Sequence, residues 1–211
     1  MHDITLATLL TRIVALFVIL AVYGLVLSWA AARMGDPGPA EDGRMTFNPF
    51  AHLDILGAIA FLIFGMGWMR PFSVDPGTLR WNAAGLLLVL LCGFLSLLLL
   101  ASIAILLLPW AATTFSYSGA PVVGGFLVVL ARLAVGFALF NLVPLPPTTA
   151  GQFLFSVYPR LCAALDSRRT IVGLVMLALL ATSFPGRALA PVNQDLLRFL
   201  SRGAPMVSTL R

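Results

Sequence analysis

The stretch Asn141-Leu142-Val143-Pro144-Leu145-Pro146-Pro147-Thr148-Thr149-Ala150-Gly151 divides the chain into two parts of different character. A long apolar run enters it, and shorter segments that mix apolar and polar residues follow it. Proline lacks a backbone N–H and restricts the residue before it, so three prolines within four residues end a helix. The stretch therefore predicts the end of a membrane helix, with carbonyl groups exposed near the membrane surface.

The composition predicts an all-α, polytopic integral membrane protein. Hydrophobic residues make up 60% of the 211 residues and charged residues 10%, against about 25% charged in a typical soluble domain. About 20 apolar residues are needed to cross a bilayer core, and three runs meet that length: 8–33, 84–109 and 121–145. The shorter runs 53–69 and 170–184 bring the expected total to about four or five transmembrane or re-entrant helices.

Two segments after the prolines resemble interfacial helices. The segments 152–165 and 192–200 each place apolar side chains on one face and charged ones on the other, as helices in the membrane interface do. We expect a single membrane domain over 1–211, with a core at about 8–160 and short membrane or interfacial helices at about 150–211.

The charge of the chain points to the lipid bilayer and not to nucleic acid. The net charge is +5, carried by 13 basic residues that are all Arg and lie scattered over loops. Such residues mainly fix topology and contact lipid headgroups. Cys92 and Cys162 lie far apart in apolar surroundings without metal-ligand spacing, so we interpret them as packing residues.

The distribution of Arg also predicts the topology. The segment 110–120 has no charge and is expected outside the cytoplasm, whereas the Arg-bearing segments around 70–80 and 160–169 are expected in the cytoplasm. If 34–52 is also cytoplasmic, the run 53–69 has both ends on one side and is re-entrant or broken at its glycines. The N-terminal apolar run begins after an acidic residue and is long enough to span, so we expect a retained helix instead of a signal peptide.

Arg132 lies near the middle of the run 121–145 and stands out without reference to any family. An Arg at that depth costs about 2.5–3.5 kcal/mol on insertion scales, so it should face the protein interior, a water-filled cavity or a partner. Three ways to satisfy it stay open: internal carbonyls, hydroxyls and water; the carboxylate of Asp54; or an acid from another subunit.

Four segments in one register resemble the site-2 protease family of intramembrane zinc proteases, over roughly residues 23–160. Arg33-Met34-Gly35-Asp36-Pro37 with Gly43-Arg44-Met45-Thr46-Phe47-Asn48-Pro49-Phe50-Ala51-His52-Leu53-Asp54-Ile55-Leu56-Gly57 is similar to R-x-G-D-P…G-R-x-T-x-N-P-x-x-H-x-D-x-x-G. Gly67-Trp68-Met69-Arg70-Pro71-Phe72-Ser73-Val74-Asp75-Pro76 is similar to G-W-x-[KR]-P-V-x-V-N-P. Residues 92–97 retain Gly93 and Ser96 of A-G-P-x-S-N, and the segment 141–151 resembles N-L-[IV]-P-[IL]-P-P-L-D-G-G.

The resemblance implies that the metal ligands of the family are replaced in this chain. The family binds zinc through the two His of H-E-x-x-H, whose Glu activates water, and through the Asp of the L-D-G segment. No H-E-x-x-H occurs in these 211 residues. Counting back from Gly35 places Tyr23 and Leu27 at the two His positions and Gly24 at the Glu position, while Thr149 replaces the Asp.

His52 and Asp54 form the one close pair of possible metal ligands. They could hold a metal with a third ligand from elsewhere, or they could fix a loop through hydrogen bonds; we favour the loop. We expect no zinc and no other cofactor.

We interpret the chain as a catalytically inactive homologue, a pseudoprotease of a bacterial inner membrane. It would bind other integral membrane proteins or transmembrane helices as an accessory, assembly or regulatory subunit. Its candidate partner-binding residues are Arg132, Asn141, Pro144, Pro146, Pro147, His52 and Asp54. The alternatives are an active metalloprotease with unusual ligands and a transport or channel subunit built around Arg132.

Overall fold

The protein is all-helical in the part that its computed structural model describes, residues 5–72, 74–115, 118–158, 160, 164 and 167–202; no strand occurs in these ranges. The helices are α1 (Leu6–Met34), α2 (Gly38–Glu41), a 3-10 turn (Pro49–Ala51), α3 (Ile55–Phe64), α4 (Asn82–Leu106), α5 (Leu108–Thr114), α6 (Gly119–Asn141), α7 (Thr149–Ser156), α8 (Arg169–Ala181) and α9 (Phe184–Ser201).

Three helical stretches are long and apolar enough to cross a membrane, which confirms the polytopic fold class. They are α1, with 29 residues; α4 continued by α5, with 33 residues; and α6, with 23 residues. Each coincides with one of the predicted spans. At 1.5 Å per residue even the shortest is about 34 Å long, enough for a core of about 30 Å.

The core is built where α1, α4 and α6 meet. Small residues let these helices approach closely, as in other membrane bundles. A Cβ atom at Gly93 of α4 would lie 2.7 Å from Cε2 of Tyr23 and 2.8 Å from Cδ2 of Leu27 on α1. Position 93 therefore accommodates only glycine while these two side chains keep their places. Cys92 is half-buried and packs against this core, as a packing residue should; Cys162 lies outside the described residues.

The run 53–69 does not form a full span. Asp54 caps α3 by accepting a hydrogen bond from the Gly57 N–H, and α3 ends after ten residues at Gly65, whose φ of 73° suits glycine. The chain then returns, and the Arg70 N–H donates to the His52 carbonyl at 2.8 Å. Both ends of the segment thus meet, which supports the re-entrant interpretation.

The C-terminal part forms two helices that differ in character. Helix α8 packs against α3, and α9 follows at an angle of 69° and packs against α6 and α4. Along α9, Leu197 is buried, while Asp195 and Arg198 form an exposed ion pair at 3.4 Å. The predicted amphipathic pattern of 192–200 is therefore confirmed. Of the other expected interfacial segment, 152–165, the structure describes the end of α7 and little beyond it, and residues 159, 161–163 and 165–166 lie outside the described part.

Candidate functional site

Asn141 links three parts of the fold at the end of α6. Its side-chain amide donates to the Gly67 and Phe137 carbonyls, both at 3.0 Å, and its Oδ1 accepts from the N–H and hydroxyl of Thr149 at 3.3 and 3.2 Å. All four groups belong to the buried interior of the molecule. Asn141 thereby fixes the start of α7 and the returning arm of the re-entrant segment against α6.

Tyr23 and Thr149 meet at this point. Both are almost fully buried, and the Tyr23 side chain interacts with that of Thr149. The Tyr23 ring also packs edge-on against Phe137, with ring centroids 5.6 Å apart. The structure therefore brings together one residue at a replaced His position and the residue at the replaced Asp position, as the resemblance implies.

Leu27 lies one helical turn along α1 from Tyr23, on the same face. It is fully buried, and with Tyr23 it covers Gly93 of α4. The positions at which the resemblance implies two His are thus occupied by an aromatic and an aliphatic side chain packed at contact distance. Cores packed in this way leave little room for water or an ion.

Gly24 packs directly against His52. A Cβ atom at position 24 would overlap the imidazole ring, only 2.5 Å from its Cε1 atom. His52 is completely buried, its Nε2 lies 3.2 Å from the Thr46 carbonyl, and its Nδ1 has no partner among the described residues. Burial and the nearby Arg44 guanidinium lower the pKa of His52, against the opposing effect of the Thr46 carbonyl. His52 is therefore neutral and fills the space beside the replaced Glu position.

These residues do not fit a zinc ion. Zinc in proteins is held by Cys, His, Asp or Glu, with at least three protein ligands in catalytic sites. Tyr23, Leu27 and Thr149 supply two hydroxyl groups and an aliphatic side chain. Across the described ranges, moreover, His, Cys, Asp and Glu side chains nowhere gather in groups of three that could hold a metal.

His52 and Asp54 point to different partners. While His52 packs on Gly24, the carboxylate of Asp54 accepts from the Gly57 N–H, from Trp68 Nε1 at 3.1 Å and from Arg169 Nη2 at 3.1 Å. The pair thus fixes the loop before α3 and joins it to α8. This geometry agrees with the hydrogen-bonded loop favoured from the sequence.

Three carbonyl groups of the proline segment accept hydrogen bonds from side chains that follow it. Thr148 Oγ1 donates to the Val143 and Leu145 carbonyls, and Gln152 Nε2 donates to the Pro147 carbonyl at 2.6 Å. The expectation that this segment exposes carbonyls is wrong at these three positions, because α7 folds back and places Thr148 and Gln152 over them. Pro144 is exposed, Pro146 half-buried and Pro147 buried. A partner-binding role for Asn141, Pro144, Pro146 and Pro147 stays a prediction.

Arg132 does not face the protein interior, which was one of the three environments expected from the sequence; a water-filled cavity and a partner stay predictions. Its side chain is exposed, and no hydrogen bond or ion pair joins it to the described residues. The suggested pairing with Asp54 is wrong, because that carboxylate binds Arg169 instead. The apolar sequence around Arg132 gave no sign of which side of α6 is covered by other helices.

Three further polar residues organise the site without having been predicted. Arg12 Nη1 donates to the last carbonyls of α3, Leu62 at 2.5 Å and Ile63 at 3.0 Å. Gln152 Oε1 accepts from the Phe72 N–H at 2.7 Å, and Asp36 joins two loops by accepting from the Gly38 and Asp75 N–H groups, both at 2.9 Å. For Asp36, its place in the R-x-G-D-P segment could have served as a signal.

Comparison with known proteins gives one informative relative. The chain is 31% identical over 150 residues to the protein named "Putative zinc metalloprotease YwhC" from Bacillus subtilis (strain 168), which covers 70% of this chain and 68% of the relative. No protein-family profile and no solved structure matches the chain. The relative bears the name of a zinc metalloprotease, and the quoted segments resemble those of the intramembrane enzymes. The chain therefore belongs to the same family as this relative, the site-2 protease family of membrane zinc metalloproteases.

Proposed function

We propose that this protein is a catalytically inactive member of its family, a pseudoprotease. It binds transmembrane segments of other proteins and serves as an accessory, assembly or regulatory subunit of a membrane complex. We place it in the bacterial cytoplasmic membrane. Its three apolar spans and the bacterial source of its relative support that location.

The packing around Gly24 supports this proposal most strongly. A zinc protease of this type needs three ligands and a base that activates the bound water. Tyr23, Leu27 and Thr149 offer no imidazole or carboxylate, and His52 packs where a side chain at position 24 would extend. Tyr23, Leu27, His52 and Thr149 are all almost fully buried, and Tyr23 and Leu27 also cover Gly93 of α4.

The retained scaffold supports the binding role. Asn141 and Asp36 still tie together the segments that the resemblance aligns with the family. These hydrogen bonds hold the aligned segments together in a chain whose residues 23, 27 and 149 supply neither an imidazole nor a carboxylate. A fold maintained in this way remains suited to contact other helices within the membrane.

Cleavage of copurifying membrane proteins tests the proposal. The full chain, purified in mild detergent and reconstituted with its copurifying proteins, is expected to leave them intact, with or without added zinc. The matched control is the Bacillus subtilis relative prepared in the same way. Cleavage by this chain that a zinc chelator abolishes would contradict the proposal and favour a metalloprotease with unusual ligands.

A further inference from the structure

Arg132 lies far from both ends of α6. At 1.5 Å per residue it is about 20 Å from the Gly119 end and about 14 Å from the Asn141 end. An extended Arg side chain is shorter than either distance, so it cannot bring its guanidinium to an end of the helix. Its guanidinium is exposed, and none of the described residues forms a hydrogen bond or ion pair with it. An acidic group of another protein could therefore pair with this charge.

A groove opens beside Arg132 between α5 and α6. It has a volume of about 590 Å³, and the lining residues from α6 are Ala120, Pro121, Gly124, Gly125, Val128 and Val129. Cβ atoms at Gly124 and Gly125 would meet nothing within 4 Å, so the backbone of α6 is open there. Arg132 does not line the groove, but it follows the lining residue Val128 by one helical turn and therefore lies on the same face of α6.

We propose that this groove binds a transmembrane helix of another protein and that Arg132 pairs with an Asp or Glu of that helix. Two glycines on one face permit close approach of a second helix backbone, as small residues do in membrane bundles. An exposed guanidinium at the end of the same face selects a carboxylate, since an intramembrane Arg is stable when paired. The proposal names the partner class of the binding role proposed above and rests on it.

A second copy of this chain does not suit the groove. The three spanning helices α1, α4 and α6 carry no carboxylate that could meet Arg132. Asp195 of α9 already pairs with Arg198. A symmetric dimer through this face would place two Arg132 side chains near each other, and like charges repel strongly at low dielectric.

A photo-crosslinking side chain at Val128 tests the groove in native membranes. The matched control is the same probe at Leu95, which is exposed near the middle of α4 on a different surface. We expect at least tenfold more protein adduct from position 128. We also expect the adduct to map to a transmembrane helix with an Asp or Glu at the depth of Arg132.

Charge exchange identifies the pair. Arg132→Glu should lower the adduct from position 128 at least tenfold, and exchanging the partner's acid for Arg should restore it in that background. Gly125→Leu should lower the adduct by filling the groove. Because both positions are exposed, each variant should retain the thermal midpoint of the parent chain, which separates lost binding from misfolding.

Several results would overturn the assignment: equal adducts from both positions, adducts only with a second copy or with lipid, or an adduct that charge exchange leaves unchanged. If membrane proteins still copurify intact while position 128 gives no specific adduct, the proposal that the groove binds a helix is refuted. The proposed pseudoprotease function is then unaffected. If zinc-dependent cleavage is found, the pseudoprotease fails whatever the adducts show.

Discussion

At the scale of single residues, the contact between Gly24 and His52 determines how the chain packs beside the positions where the resemblance implies metal ligands. His52 comes from the loop before α3, and only the absence of a side chain at position 24 lets the ring lie against α1. The neutral ring has its Nε2 directed to the Thr46 carbonyl and is otherwise surrounded by packed atoms. Gly24, at the position where the resemblance implies a catalytic base, is therefore also the residue that allows His52 to pack against α1.

Substituting Gly24→Ala should destabilise the protein by about 1–3 kcal/mol, the usual cost of overpacking a core. Thermal unfolding in detergent measures this, with Gly124→Ala as the control, because that glycine is also helical but has open space around it. The double variant Gly24→Ala/His52→Ala should lose less stability than the sum of the single changes. Full additivity would show that the ring is not what position 24 contacts.

The stability contributed by His52 should depend on pH. Its pKa is lowered in the folded state, so below about 6.5, where an unperturbed imidazole titrates, the unfolded state binds more protons than the folded state. Stability should therefore fall as the pH drops from about 6.5, by at most about 1.4 kcal/mol per pH unit. The comparison of the chain with His52→Gln between pH 8 and pH 5 should show the cost of the substitution shrinking at low pH. A cost that stays constant with pH would mean that the ring titrates normally.

Some of these residue contacts could be predicted and others could not. The resemblance indicated that positions 23 and 149 would meet, because it carries a spatial arrangement along with the motif. The pairing of Asp54 with Arg169 joins residues 115 positions apart and depends on how α8 packs, which no local pattern encodes. The sequence did not predict which side of α6 carries Arg132, since a helix that is apolar all round does not reveal its covered face.

At the scale of elements, the re-entrant segment is held by side chains from other helices. Helix α3 has only ten residues, and its last carbonyls lack helical partners. Arg12 of α1 supplies donors to two of them. Spans were predictable because bilayer thickness sets their length. The re-entrant form of 53–69 was expected only on the condition that 34–52 is cytoplasmic, and the length of α3 was not predicted.

Replacing Arg12 with Met should loosen the end of α3 without unfolding the bundle. Hydrogen bonds to a charged group contribute about 1.5–3 kcal/mol, so amide exchange near Phe64 and Gly65 should accelerate roughly 10- to 100-fold. Hydrogen exchange of the detergent-solubilised chain measures this, and Arg33→Met, at the far end of α1, is the matched control. Equal acceleration in both variants would show that Arg12 has no specific role at α3.

At the scale of the whole molecule, a membrane helix bundle packs buried side chains at the positions where the family resemblance implies metal ligands. The all-α, polytopic class followed from composition alone, because a chain with so few charges must face lipid. The packing of α9 against α6 and α4 was not predicted, since an amphipathic sequence at the membrane surface resembles one that covers a helix bundle. The family was readable from the motifs, and a relative with 31% identity shows it independently.

The zinc content of the purified full chain tests the central claim most directly. The protein should be purified without chelator, dialysed and analysed for metal beside the Bacillus subtilis relative treated identically. Because Tyr23, Gly24, Leu27 and Thr149 supply neither an imidazole nor a carboxylate, the account predicts far less than one zinc per chain. About one zinc per chain, retained after dialysis, would contradict it.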